Sequence, residues 1–141
     1  MANLSEVLTG LMFDKNVTSQ KLASDLNVTV GTINRWKGDR SGIKLTDLIK
    51  LCKYFGCSLD YLVGKTEQDI KPSKFELENF GVQVRKVMKS KGISSYVLRR
   101  DTQFASSRFV DWDKGADPKL STLIELANYF GCSLDELVGL E

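Results

Sequence analysis

Two stretches of the sequence concentrate side chains that could bind phosphate. From Lys15 to Lys44 the chain carries six basic residues against two acids, and from Arg85 to Arg100 six basic residues with no acid between them. Ammonium and guanidinium groups in such runs suit an anionic partner such as nucleic acid, although a solvated helix face has the same composition. Because the formal net charge is only +2, this local distribution is more informative than the total. The basic residues are Lys15, Lys21, Arg35, Lys37, Arg40 and Lys44, then Arg85, Lys86, Lys89, Lys91, Arg99 and Arg100.

Residue types that serve catalysis or metal binding are scarce. The chain has no histidine, which removes the commonest general base and most hydrolytic arrangements. Its three cysteines, Cys52, Cys57 and Cys132, are an odd number and lie too far apart in sequence for a typical zinc site. We therefore expect buried, reduced thiols and no enzyme, cofactor or metal.

The composition is that of a globular protein. Hydrophobic residues make up 42% and charged residues 27%, values far from the disordered and membrane extremes. The sequence shows neither a run of about 18 apolar residues nor a secretory leader. These features predict a cytoplasmic protein with no membrane partner.

The sequence repeats itself. LTDLIKLCKYFGCSLDYLVG (45–64) matches LSTLIELANYFGCSLDELVG (120–139) at an offset of 75. In each copy, apolar residues at i, i+3, i+4, i+7 and i+10 predict one face of a helix. Glycine is expected to end that helix, and serine to cap a short final helix. The predicted faces are Leu45, Leu48, Ile49, Cys52 and Phe55, and Leu120, Leu123, Ile124, Ala127 and Phe130, with Gly56 and Gly131 as stops and Ser58 and Ser133 as caps.

A second pattern precedes each of these helix pairs. VTSQKLASDLNVTVGTINRW (17–36) has caps at Thr18 and Thr29 and a break at Asn27, which predicts two short helices joined by a turn, with Ala23 where they cross. ISSYVLRRDTQFASSRFVDW (93–112) matches it at an offset of 76, and each copy has a leading helix. The predicted fold is all-α, with two tandem five-helix domains at 1–64 and 75–141 joined by a polar linker at 65–74.

This order of motifs resembles the phage repressor and Cro (xenobiotic-response-element) family of helix-turn-helix proteins. The resemblance rests on the Leu-Ala helix, the Thr-x-x-Thr-Ile-x-x-Trp helix, the basic loop and Phe-Gly-x-Ser-Leu-Asp-x-Leu, and it covers nearly all of the chain outside the linker, once per copy. It implies a repressor-like fold and a transcriptional regulator that binds specific double-stranded DNA.

The resemblance also implies DNA-contacting residues in the first copy. The third helix would enter the major groove, where Arg35 could bind guanine and Asn34 adenine, each discriminating by about 1–3 kcal/mol. The base-contacting residues would be Val30, Gly31, Asn34 and Arg35. The phosphate-contacting residues would be Thr18, Ser19, Gln20, Thr29, Thr32, Lys37, Arg40 and Lys44.

The second copy departs from this pattern. Its corresponding DNA contacts would be Ser95, Ser106, Ser107, Arg108, Asp111 and Lys114. Arg99 replaces Ala23, Thr102 replaces Leu26 and Gln103 replaces Asn27, so its two helices should cross less tightly. Phosphate repels acids such as Asp111. The second domain should therefore read DNA differently, weakly or not at all.

Three functions remain open at this point. The chain could be a repressor of phage or mobile-element type that acts by occupying a promoter. Alternatively, only the N-terminal domain binds DNA, and the C-terminal copy serves homodimerisation or docks an antirepressor or another protein. A third alternative is an antitoxin-like interaction protein.

Overall fold

The computed structural model describes residues 3–38, 42–102 and 106–140, with the side chains of Ser106 and Ser107 left out. These residues form ten helices and no strand. In chain order the helices are α1 (Leu4–Asp14), α2 (Ser19–Leu26), α3 (Val30–Lys37), α4 (Leu45–Phe55), α5 (Leu59–Leu62), α6 (Phe80–Lys91), α7 (Ser95–Asp101), α8 (Ser106–Asp113), α9 (Leu120–Phe130) and α10 (Leu134–Val138).

The chain divides into two compact units, Met1–Pro72 (unit 1) and Ser73–Glu141 (unit 2). Each unit contains five of the helices, so the predicted all-α fold is confirmed. The described stretch between α5 and α6 carries no helix. Among the described residues, no helix has the length and apolar character needed to cross a membrane.

The helices begin and end where the local sequence predicts. Four side-chain hydroxyls, those of Thr18, Thr29, Ser58 and Ser133, each accept the backbone N–H three residues further on, at 3.0–3.1 Å. Gly56 and Gly131 follow α4 and α9 with a φ of 67° each, a left-handed conformation that glycine adopts without a Cβ penalty. The predicted caps and stops are therefore confirmed.

The buried face of α4 and α9 differs in part from the prediction. Leu51 and Leu126 are fully buried although they were not assigned to that face, while Ile49, Ile124 and Leu120 are only half-buried. Residues three and four apart share one side of a helix. The buried series of α4 therefore runs from Leu45 through Leu48 and Leu51, and Ile49 falls at its edge.

The helix-turn-helix differs between the units. In unit 1, α2 ends at Leu26, the following Asn27 is in the left-handed conformation (φ 59°), and Ala23 is buried. In unit 2, α7 ends at Asp101, and Thr102 is extended (φ −130°). Arg99, at the place of Ala23, is exposed. Gln103 lies outside the described residues.

The three cysteines form no disulfide, and the prediction of their burial holds only in part. Cys52 and Cys57 are buried, but Cys132 is half-exposed, so the prediction of burial is wrong for Cys132. In the part of the chain that the structure describes, no three cysteine or carboxylate side chains come together as a metal site would require.

Candidate nucleic-acid interface

Lys37, the last residue of α3, connects three helices of unit 1. Its Nζ donates to the Oγ of Ser19, the first residue of α2, at 3.3 Å. Its backbone carbonyl accepts a hydrogen bond from the hydroxyl of Ser5 on α1. The first N–H groups of a helix lack partners within the helix and carry partial positive charge. The Lys37 ammonium therefore adds a full charge at the end of α2 that already favours an anion.

The hydroxyl and amide residues predicted to touch phosphate have different surroundings. Gln20 is exposed on the first turn of α2, and Ser19 is half-buried. The hydroxyl oxygen of Thr18 caps α2, and that of Thr29 caps α3. The Oγ1 atoms of Thr29 and Thr32 also lie 2.9 Å apart and share a hydrogen bond. Since one hydroxyl hydrogen of this pair is used internally, the pair has one hydrogen left to offer a phosphate.

The residues of α3 predicted to face the bases share one exposed side of the helix. Val30 is 37% exposed, and Gly31, Asn34 and Arg35 are exposed. Ile33 and Trp36, which lie three residues apart and so share the other side of α3, are buried in the core. The amide of Asn34 and the guanidinium of Arg35 therefore reach solvent from a helix whose other face is buried.

Gly31 leaves the surface of α3 open. A Cβ built at this position would meet only the Oγ1 of Thr29, at 3.8 Å. Another molecule can therefore approach the α3 backbone more closely here than at a position with a side chain.

The basic residues after α3 are described in part. Lys44 is exposed and precedes α4 without capping it. Arg40 lies outside the described residues. The structure thus brings Lys37, Ser19 and Gln20 to one end of α2 and presents Asn34 and Arg35 on α3.

In unit 2 the corresponding positions carry different chemistry. Ser95 begins α7 and is exposed, as are Arg108, Asp111 and Lys114 on and after α8. The side chains of Ser106 and Ser107 lie outside the described residues. Two apolar side chains are exposed where unit 1 has Gln20 and Asn34: Tyr96 at 66% and Val110 at 49%.

Four of the six basic residues in the run of unit 2 form ion pairs with acids that lie outside the run. Lys86 lies 2.7 Å from Glu78, Lys91 lies 3.3 Å from Glu136, Arg100 lies 3.0 Å from Asp101, and Arg85 forms an ion pair with Asp113. The Arg85 guanidinium lowers the pKa of the Asp113 carboxyl, chiefly by hydrogen bonding. A run without acids in the sequence is thus not a run of free positive charge in the fold.

A contact between a tyrosine and a carboxylate, which the motifs do not predict, recurs in both units. The Tyr54 hydroxyl donates to Asp25 at 2.6 Å, and the Tyr129 hydroxyl donates to Asp101 at 2.8 Å. In each unit the bond ties the fourth helix to the second. The signal was present in the sequence, because both residues of each pair occur at matching places in the repeat.

Comparison with known proteins identifies the family. The family model described as the Cro/C1-type helix-turn-helix DNA-binding domain matches residues 7–64 and again 83–141. The chain belongs to this family. Its two Cro/C1-type domains make it a DNA-binding transcriptional regulator, in agreement with the resemblance seen in the sequence. A search of curated proteins and of solved structures found no match.

Proposed function

We propose that the chain is a sequence-specific repressor of phage or mobile-element type that reads the major groove with α3 of unit 1. In this proposal Asn34 and Arg35 contact base edges, and Lys37, together with the N-terminus of α2, holds a backbone phosphate. Occupation of promoter DNA would then block transcription.

One observation supports this proposal most directly. The hydrogen bond from Lys37 to Ser19 holds an ammonium group at the N-terminus of α2, while Arg35, two residues earlier, points to solvent. Phosphate contacts fix the register of a protein on DNA, and base contacts supply sequence preference. Unit 1 carries groups suited to both tasks on the last turn of α3.

The proposal predicts different effects of two substitutions in full-length protein. Arg35→Ala should weaken the preferred site by about 1–3 kcal/mol and relax base preference at one position. Lys37→Ala should weaken binding to all sequences alike and reduce the slope of log K against log salt by about 1. Fluorescence anisotropy on the selected site and on a scrambled duplex, over a range of salt concentrations, measures both effects.

Lys50→Ala provides a matched control, because it removes the same charge from the exposed side of α4. It should change the affinity by much less than Lys37→Ala. An equal loss on every sequence from Arg35→Ala would remove this residue from base reading. Wild-type affinity in both Arg35→Ala and Lys37→Ala would contradict the proposed interface.

A further inference from the structure

Unit 2 carries a carboxylate where unit 1 carries its phosphate-facing ammonium. Asp113 ends α8 as Lys37 ends α3. Instead of reaching the second helix of its unit, Asp113 contacts α6. Both of its oxygens accept hydrogen bonds from Arg85, with 2.9 Å between Nη2 and Oδ2. Bidentate pairs of this kind are among the stronger and more specific charged contacts in proteins.

Several neighbouring groups hold this ion pair in place. The Nη1 of Arg85 also donates to the carbonyl of Gly81 at 3.3 Å, and the guanidinium carbon lies 5.6 Å from the centre of the Phe109 ring. The Nδ2 of Asn79 donates to the backbone carbonyl of Asp113 at 3.0 Å. The end of α8 is therefore fixed to α6 through both its backbone and its side chain.

Gly81 makes room for the pair. A Cβ at this position would fall far inside van der Waals contact with Oδ1 of Asp113 and 3.0 Å from its backbone nitrogen. Unit 1 has Ser5 at the same place, and the Ser5 hydroxyl bonds the Lys37 carbonyl. The two units thus join their first and third helices differently. Both positions of this contact differ between the units: Ser5 and Lys37 in unit 1 correspond to Gly81 and Asp113 in unit 2.

We propose that the Arg85–Asp113 pair prevents the helix-turn-helix of unit 2 from holding a DNA phosphate and so confines specific DNA contact to unit 1. This inference rests on the proposed function. The pair acts in two ways. It replaces the Lys37 ammonium at the corresponding chain position with a carboxylate that is held against α6, and it engages the guanidinium of Arg85, which would otherwise attract phosphate.

The remaining charges of unit 2 do not reverse this effect. Lys86, Lys91 and Arg100 lie within ion-pair distance of carboxylates. Arg108, in the first half of α8, and Lys114, just after α8, are exposed, but Asp111 between them is exposed as well. Unit 2 therefore retains weak, non-specific attraction for DNA and lacks a positioned phosphate contact.

Restoring the residues of unit 1 tests the proposal in the full chain. The starting variant carries Arg35→Ala and Lys37→Ala, so that unit 1 contributes little. Adding Gly81→Ser and Asp113→Lys should strengthen binding to a random-sequence duplex about tenfold at low salt and steepen the salt slope by about 1–2. Circular dichroism and thermal unfolding check that each variant is folded.

Two controls separate the effect of the position of the new charge from the effect of the total charge on DNA binding. Glu125→Lys makes the same charge change on the exposed side of α9 and should have a much smaller effect. Asp113→Asn keeps Gly81 and the shape of the side chain, and it should strengthen binding more than Glu125→Gln does. Equal effects at Asp113 and Glu125 in both comparisons would overturn the proposal.

The same titrations test the proposed function separately. A wild-type chain that does not bind DNA, or that binds with the same affinity after Arg35→Ala and Lys37→Ala, contradicts the role of unit 1. If DNA binding by the wild-type chain depends on Lys37 but the restored variants bind DNA no more tightly than their controls, only the proposed role of the Arg85–Asp113 pair is contradicted.

Discussion

At the scale of single residues, Asp25 shows how one carboxylate can link two helices. The Tyr54 hydroxyl donates to its Oδ2 at 2.6 Å, and the Nζ of Lys21 lies 3.3 Å from the same oxygen. The Tyr54 hydrogen bond, followed by that of Lys21, lowers the pKa of Asp25 below its ordinary value of 3.8. The contact therefore favours the ionised carboxylate and joins α4 to the helix whose N-terminus faces the proposed phosphate.

This lowered pKa predicts a pH-dependent contribution to stability. A carboxyl group whose pKa is lower in the folded state stabilises the fold above its unfolded pKa, and that contribution is lost as the pH falls through the folded pKa. Tyr54→Phe should therefore reduce the free energy of unfolding near neutral pH, with a difference from wild type that shrinks in acid. Chemical denaturation at several pH values and NMR titration of Asp25 measure both effects.

Tyr61→Phe serves as the control, because it removes a hydroxyl from α5, away from Asp25. It should leave the pKa of Asp25 unchanged, whereas Tyr54→Phe should raise it. Identical Asp25 titration curves in wild type and Tyr54→Phe would show that the hydrogen bond does not set the pKa.

At the scale of the helices, α3 carries a glycine where an ordinary helix former would stabilise it. Gly31 lies in the first turn, and a Cβ there would have only the 3.8 Å contact with Thr29. Gly31→Ala should therefore raise the free energy of unfolding by up to about 1 kcal/mol. If the backbone at this position lies against DNA, the same substitution should weaken specific binding. Thermal unfolding and anisotropy measure the two effects.

Gly10→Ala is the matched control for this prediction. Gly10 lies within α1, and no neighbouring atom is within 4 Å of a Cβ built there. The substitution should stabilise the fold without changing DNA affinity. Undiminished DNA binding by Gly31→Ala would place the DNA farther from the α3 backbone than we propose.

Local sequence was sufficient to predict where the helices begin and end, but not to predict the side-chain contacts between them. A cap such as that of Thr18 on Lys21 spans three residues, so the pattern that predicts it lies within one short window. The Arg85–Asp113 and Tyr54–Asp25 contacts span 28 and 29 residues and depend on how the helices pack. For this reason the family fold and a candidate base-reading face in unit 1 could be predicted from the sequence. The ion pairing of the basic residues in unit 2 could not.

At the scale of the whole molecule, the two units agree in their scaffold and differ where DNA would lie. Leu48 and Leu123, and Leu62 and Leu137, occupy matching fully buried places. By contrast, the places of Asn34 and Arg35 are taken by Val110 and Asp111, and both of these are exposed. Buried positions keep their residues because the core tolerates few changes in volume. Exposed positions can change function without affecting the fold.

This difference predicts that each chain reads one half-site. Selection of bound sequences from random DNA by the full-length protein should enrich a single motif, or an inverted pair about 34 Å apart if two chains associate. Arg35→Ala should change that motif, whereas Asp111→Ala, at the corresponding place in unit 2, should leave the motif unchanged. A direct repeat of two different half-sites, bound by one chain and altered by Asp111→Ala, would show instead that unit 2 reads bases. The predicted linker at 65–74 reaches at most about 35 Å when fully extended, so such a repeat would require it to be taut.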